Sequence, residues 1–413
     1  MIRNKKMDKE KMRQSNLFLI LRILKERGSL SKTDLSKITK LSLPSVTSII
    51  NELEEYNLIS LLGQAPIKRG RFPIKYKLNS NALYIIGVTI QSESIKCVII
   101  NLNGDIQHYL SIPLPTNHEP AYVLDKVSNL VQKVIAESGI NQSKILGIGV
   151  GMHGIVDPIN GVAIYPPHLG WEHIPLSEIL EDKLNLPVLV DNDCNVLTLA
   201  ERWFGKCINS DSFIVMNVDY GVGSGIMVSG NLFHGTNYGG GQIGHLTVSE
   251  NGPKCSCGNF GCLETLVNEN ALLNGINKKL KQGFNSVLVS LMDNGISLKD
   301  IYVAATKEDQ LSIQTLEEAG RYLGVGVSSL VNLFNPQQII LTGSVLVGEE
   351  FITIPLKDTV NKTALKTNTK NLKIETSDLG DKADVIGAAT LWVDSLFNGH
   401  LQIDDYFSKE GIM

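Results

Sequence analysis

The spacing of the apolar residues changes near residue 80. Before that point they recur at helical intervals. Beyond it they gather into short runs that end in glycine, asparagine or aspartate, the pattern of strands with tight turns. The charge changes sign at the same place. Residues 1–80 carry 17 Lys+Arg and 7 Asp+Glu, a net of +10, and the other 333 residues carry 21 and 35, a net of −14. The overall charge of −4 is therefore the sum of a basic head and an acidic body. That asymmetry predicts a polyanionic partner for the head alone.

The rest of the composition sets broad limits. With 413 residues and 43% hydrophobic side chains, the chain has enough apolar surface for a sizeable core and for more than one domain. Disordered, collagen-like and disulfide-scaffold classes are excluded. No run of 18 apolar residues is present, so no membrane span is expected. The run Leu17–Leu24 is broken by Arg22 and lacks a small-residue cleavage site after it, so no signal peptide is expected. A cytoplasmic protein is the expectation.

In the head, Leu17, Ile20, Leu21 and Leu24 predict a helix over Asn16–Arg27, with Gly28 as its stop. Ser31 and Asp34 have capping-box spacing for a helix over Lys32–Thr39. A third helix is expected from about Pro44 to Tyr56, with Val46, Ile49, Ile50 and Leu53 on its apolar face. Two short helices joined by a tight turn form a helix-turn-helix, whose second helix enters the major groove by its N-terminal residues. Ser45, Thr47 and Ser48 lie at that end and are the candidate DNA contacts. Two strands, Leu58–Leu62 and Ile74–Leu78, flank a loop carrying Lys68, Arg69, Gly70 and Arg71. That is the wing of a winged helix-turn-helix, with basic side chains placed for phosphate. The alternative is a three-helix domain that binds protein.

The body reads as α/β. Strands are expected at Tyr84–Ile90, Ile95–Leu102, Ile145–Val150, Val188–Val190, Phe213–Val218, Ser224–Val228 and Ile339–Leu341. Helices are expected at Ala121–Ser138, Asn195–Phe204 and Gly320–Asn335. Two successive β-rich halves fit a duplicated actin-like or hexokinase-like fold. Of six cysteines, three crowd together as Cys255, Cys257 and Cys262, and His245 precedes them. One imidazole and three thiolates make a closed tetrahedral set, the arrangement of a structural zinc, with one Zn²⁺ expected per chain. Such a set has no open position for hydrolytic chemistry. Asp191-Asn192-Asp193 sits at a strand end, where open α/β folds bind ligands, and carboxylate and amide groups suit sugar hydroxyls.

The helix-turn-helix segment, the Gly70-Arg71-Phe72-Pro73 wing and the Gly244-His245 … Cys255-Ser-Cys257-Gly-Asn-Phe-Gly-Cys262-Leu-Glu264 motif together resemble the ROK family (repressor, open reading frame, kinase). The resemblance covers nearly the whole chain. It implies a two-lobed actin/hexokinase-like domain behind the winged head. By this resemblance Asn192, Asp193, His245 and Glu264 bind a sugar, and His245 serves both metal and ligand. Gln242 stands where the family has Glu. The kinase phosphate motifs depart from the family pattern: Thr89, Gln91 and Ser92 replace the Asp and two Gly of the first, and Tyr220 replaces the Thr of the second. The expected domains are 1–80, 81–193, 194–383 and a C-terminal helix in 384–413 that packs back on the first lobe. The expected function is a sugar-responsive repressor, without enzymatic activity, that binds double-stranded operator DNA as a homodimer or tetramer and responds to a small sugar, with xylose favoured. Alternatives are an ATP-dependent sugar kinase with a regulatory head, and a regulator that binds a transport protein. His153 and His168 are nearby candidates with weaker support and read first as structural.

Overall fold

A computed structural model describes residues 9–62, 74–346 and 349–399, and the backbone of 407–408 and 411–412. The chain forms two compact units, residues 1–204 with 381–413, and residues 205–380.

The first unit opens with the head. Helix α1 (Lys9–Arg27) runs into Gly28, whose φ of +76° ends it. Strand β1 (Leu30–Ser31) and helices α2 (Lys32–Thr39) and α3 (Leu43–Glu55) follow. The expected capping box forms: Ser31 Oγ accepts from the Asp34 N–H, and the Ser31 N–H donates to Asp34 Oδ2. Leu17, Leu21, Leu24, Leu35, Val46, Ile50 and Leu53 are buried, so the helical spacing read from sequence is the core of the head. Strands β2 (Ile59–Leu61) and β3 (Lys75–Leu78) pair antiparallel, and β1 joins the other edge of β3. The first helix begins before Asn16, since Lys9–Ser15 are helical too.

Behind the head lies a five-stranded sheet of β4 (Tyr84–Ile90), β5 (Ser94–Asn101), β6 (Ile106–Pro113), β7 (Ile145–Met152) and β11 (Val188–Asn192). A small three-stranded sheet, β8 (Ile155–Asp157), β9 (Val162–Tyr165) and β10 (Ile174–Pro175), follows β7. The large sheet has the order β11-β7-β4-β5-β6, with β4 parallel to β7 and antiparallel to β5. One face buries Ile86, Val88, Ile148 and Val150 against α4 (Pro120–Ser138) and α5 (Leu176–Leu184). The other face receives α6 (Asp193–Trp203) and the C-terminal helix Ala383–Phe397. Here glycine decides the packing. A Cβ on Gly87 would lie 2.1 Å from the Val385 carbonyl oxygen, and one on Gly149 would lie 1.9 Å from that of Ala388. Only a bare Cα lets the helix backbone come so close.

The second unit repeats this plan. Strands β12 (Phe213–Val218), β13 (Val222–Val228), β14 (Asn231–Leu232), β15 (Gln338–Thr342) and β16 (Lys373–Thr376) take the order β14-β13-β12-β15-β16. As in the first sheet, two antiparallel pairings are followed by two parallel ones. Helices α7 (Glu264–Val267), α8 (Glu269–Lys281), α9 (Leu298–Thr306), α10 (Gln310–Phe334), α11 (Glu349–Thr363) and α12 (Lys366–Thr369) complete the unit. Helix α10 starts ten residues before the expected Gly320, capped by Asp309. Gly320 is internal, because a Cβ there would meet the Ile352 carbonyl oxygen at 2.4 Å.

The head is fastened to the body through α1. Lys25 Nζ donates to the Leu102 carbonyl at 2.8 Å and lies over the rings of Phe204 and Phe397. Arg22 Nη1 donates to Asn398 Oδ1. Burial pulls Lys25 from 10.5 down to about 8, against a raising effect of Asp105. Between those two values the unfolded chain still holds the proton that native Lys25 has released, so rising pH favours the native state. Chemical denaturation of the wild type and Lys25→Met from pH 7.5 to 10 should show the wild type gaining roughly 1–3 kcal/mol relative to the variant. A difference that stays flat with pH would show that Lys25 is not held in this way.

Candidate functional site

At the DNA-binding end, α3 begins at a cap in which Ser42 Oγ accepts from the Ser45 N–H. Ser45 and Ser48 are exposed and Thr47 is half-buried. Lys68, Arg69, Gly70 and Arg71 lie outside the described residues, between the paired strands β2 and β3.

In the first unit, strand pairing assembles a polar cluster. Parallel β7 and β11 align Met152 with Asn192, so the residues that follow each strand, His153 and Asp193, emerge side by side. His153 Nδ1 lies 3.3 Å from Asp193 Oδ2. The His153 ring stacks on His168 at 4.8 Å between centroids. Both histidines line a small cleft with Gln91, Ser92, Met152 and Pro166. Asn192, not Asp193, is the helix cap. Its Oδ1 accepts from the Cys194 and Asn195 N–H groups, and its Nδ2 donates to the Gly154 carbonyl. Asp193 is the first residue of α6 and keeps one carboxylate oxygen towards His153. Sequence reasoning read His153 and His168 first as structural. The signal that would have found them is the placement of Met152-His153-Gly154 at the end of a buried strand parallel to the one ending at Asn192.

In the second unit, His245 ends a short 3₁₀ turn, Ile243–His245, and the three cysteines follow in a tight loop. One donor atom from each of His245, Cys255, Cys257 and Cys262 falls within 4.8 Å of all the others. Cys255 Sγ is 3.5 Å from His245 Nδ1, and Cys257 Sγ is 3.7 Å from Cys262 Sγ. A tetrahedral ion with metal–sulfur bonds of about 2.3 Å has sulfur–sulfur edges of about 3.8 Å. The Cys257–Cys262 edge matches that value, and the shorter Cys255–His245 edge matches the roughly 3.5 Å expected when one bond is a metal–nitrogen bond of about 2.0 Å. The loop is drawn tight by backbone hydrogen bonds, Cys255 N–H to Asn259 and Gly261 N–H to Pro253. Gly261 has φ +67°, and a Cβ there would strike the Ser249 carbonyl oxygen at 1.6 Å. Cys255 and Cys262 are buried, and Cys257 is exposed. Burial pushes the Cys262 thiol up to about 12, so its thiolate needs a cation beside it. A hydrogen bond from the Asn259 backbone is the main cause that lowers Cys257. The four residues are thus arranged so that they could hold a metal ion.

The set also positions its neighbours. The Leu263 N–H donates to Leu246, which clamps the segment after Cys262 to the segment after His245. Glu264 follows and accepts from the Val222 N–H through Oε2 at 3.1 Å. Gln242 is exposed at the turn before His245. Asn192 and Asp193 belong to the first unit, and Gln242, His245 and Glu264 to the second. Around the glycine turn Asp219–Gly225, Ser344 Oγ donates to Asp219 Oδ1 at 2.7 Å and reaches Glu269 Oε2 at 3.3 Å. Two carboxylates therefore meet beside a turn that the sequence reading compared with a phosphate loop.

Comparison with known proteins agrees with both parts of this description. The ROK family model matches residues 85–395, and a winged helix-turn-helix DNA-binding model matches residues 13–60. The chain is 30% identical over 390 residues to the xylose repressor of Caldicellulosiruptor bescii, covering 94% of this chain and 97% of that one. It is 31% identical over 393 residues to the N-acetylglucosamine repressor of Escherichia coli O157:H7, covering 94% and 95%. Among solved structures, a ROK family transcriptional regulator described as a homolog of the E. coli MLC protein superposes with a TM-score of 0.84 at 25% identity, over 94% of this chain and 98% of that one. A winged helix-turn-helix head joined to a duplicated α/β body, with these motifs in place, makes this chain a member of the ROK family.

Proposed function

We propose that the chain is a sugar-responsive transcriptional repressor of carbohydrate-utilisation genes. The observation that carries this reading is the joining of a basic winged head to a ROK body, matched end to end in proteins named as repressors. The head binds double-stranded operator DNA as part of a homodimer or tetramer, through Ser45, Thr47 and Ser48 on α3 and through Lys68, Arg69 and Arg71 on the wing. The body binds a small sugar through Asn192, Asp193, Gln242, His245 and Glu264. Sugar binding lowers operator affinity because the ligand favours one state of the protein over the other. Xylose is the first sugar to test, since one relative is named for it. The protein acts in the cytoplasm, and none of the described helices is long and apolar enough to cross a membrane.

His245, Cys255, Cys257 and Cys262 hold one structural Zn²⁺, which supplies cross-linking and no open coordination site. The kinase reading is weaker on steric grounds: Gln91 and Ser92 stand where the family kinases carry two glycines, and side chains there block close approach of the backbone to phosphate.

A gel shift with the upstream region of a neighbouring sugar operon should give a specific complex that xylose or another small sugar dissolves. Specific DNA binding that no sugar alters would remove the effector half of the proposal, and ADP release with a sugar panel, abolished in Asp193→Ala, would restore the kinase. Changing Lys68, Arg69 and Arg71 to Ala should weaken DNA binding and reduce the slope of affinity against salt by up to about 3; an unchanged slope would take the wing off the DNA. Elemental analysis should find about one zinc per chain, and Cys257→Ser should lose most of it and unfold at a lower temperature. Equal zinc in variant and wild type would refute the ligand set.

A further inference from the structure

We propose that Leu43, with Pro44 beside it, reads the C5-methyl group of a thymine in the major groove. This inference rests on the operator-binding function proposed above and adds a base preference to it. The apolar stripe of α3 buries Val46, Ile49, Ile50 and Leu53. Stepping back three residues along that stripe leads to Leu43, which helical spacing would bury as well. Instead Leu43, the first residue of α3, is 49% exposed, and Pro44 next to it is also exposed.

At this tip the Ser42 and Ser45 side chains lie against each other on one side of Leu43. Ser42 Oγ accepts from the Ser45 N–H and lies 2.8 Å from Ser45 Oγ. Neither Leu43 nor Pro44 has a side-chain donor or acceptor, and Pro44 also lacks an N–H. The side chains at the leading edge of α3 are therefore apolar, inside a head whose net charge of +10 suits a polyanion. Backbone N–H groups of this first turn can meet a phosphate, but the Leu43 and Pro44 side chains cannot. When the N-terminus of a recognition helix enters the major groove, its first residues meet base edges. Of the base edges exposed there, thymine presents a methyl group and the others present donors and acceptors. A leucine at that point is matched to thymine.

The test uses the full-length protein. Duplexes selected by it from a random-sequence library are remade with each thymine changed in turn to deoxyuridine, which deletes the methyl and keeps every hydrogen-bonding group. For the wild type, one replacement per half-site should weaken binding by about four-fold, the worth of one buried methyl group. Leu43→Ala should bind the unmodified duplex about as weakly as the wild type binds that deoxyuridine duplex. It should also be indifferent to the same replacement. Leu43 is exposed, so the variant should unfold at the wild-type temperature. Selected duplexes in which no thymine replacement matters would overturn the proposal alone, as would a Leu43→Ala protein that remains sensitive at every position where the wild type is. Failure to enrich any sequence at moderate salt would instead overturn the DNA-binding function and this inference with it.

Discussion

The C-terminal helix lies on the first body sheet backbone against backbone, and most of what positions the unit follows from that contact. At Gly87 and Gly149 the space for a Cβ is occupied by carbonyl oxygens of the helix. Close approach of this kind fixes the depth of the helix in a way that side-chain packing, with its adjustable rotamers, does not. The helix then seats its neighbours. Gly387 brings it against the backbone of α6 at Val196, and Asp394 accepts from the indole N–H of Trp203 at the far end of α6. The direction of α6 places Asn192 and Asp193 at its first turn. On the other side, Phe397 and Asn398 meet Lys25 and Arg22 of the head. A single helix thus touches the sheet, α6 and the DNA-binding head.

Polar groups in the first unit divide into those that hold the fold and those left for ligand. Asn192 spends both ends of its amide on the cap and on Gly154. Asp191 accepts from the Asn195 side chain inside the unit. Asp193 is bonded towards His153 at the edge of a cleft. A carboxylate beside an imidazole keeps a hydrogen-bonding direction without being sealed from solvent. In the second unit a backbone hydrogen bond does comparable work by a different route. The Leu263 N–H donates to Leu246 and ties the segment leading into Glu264 to the one that follows His245.

Much of this was legible in the sequence because local rules and the fold agreed. The spacing of Leu17, Ile20, Leu21 and Leu24, the Ser31–Asp34 pair and the Cys-x-Cys spacing each have one dominant physical meaning, and the structure realises it. What was not legible depends on long-range contact. The helix expected from Gly320 starts at Gln310, and Gly320 is internal, where α11 needs the space. The helix expected from Asn195 starts at Asp193, and Asn192 is its cap. His153 acquires its partner only through the parallel register of β7 and β11, and no local pattern reveals that register. Leu43 matches the buried stripe by spacing and escapes it by lying at the very first turn.

The order in which these parts are synthesised gives the C-terminal helix a further meaning. The strands carrying Gly87 and Gly149 are made early, but the helix that covers them is made after the whole of residues 205–380. The second unit is continuous in sequence and can close on itself while the first still shows an open sheet face. The head, with short-range contacts, can form soonest of all. On the ribosome a folded DNA-binding module therefore precedes a complete body, and the contact between Phe397 and Lys25 is among the last to form. The contacts of the head with Phe397 and Asn398 can form only once the helix Ala383–Phe397 has been made.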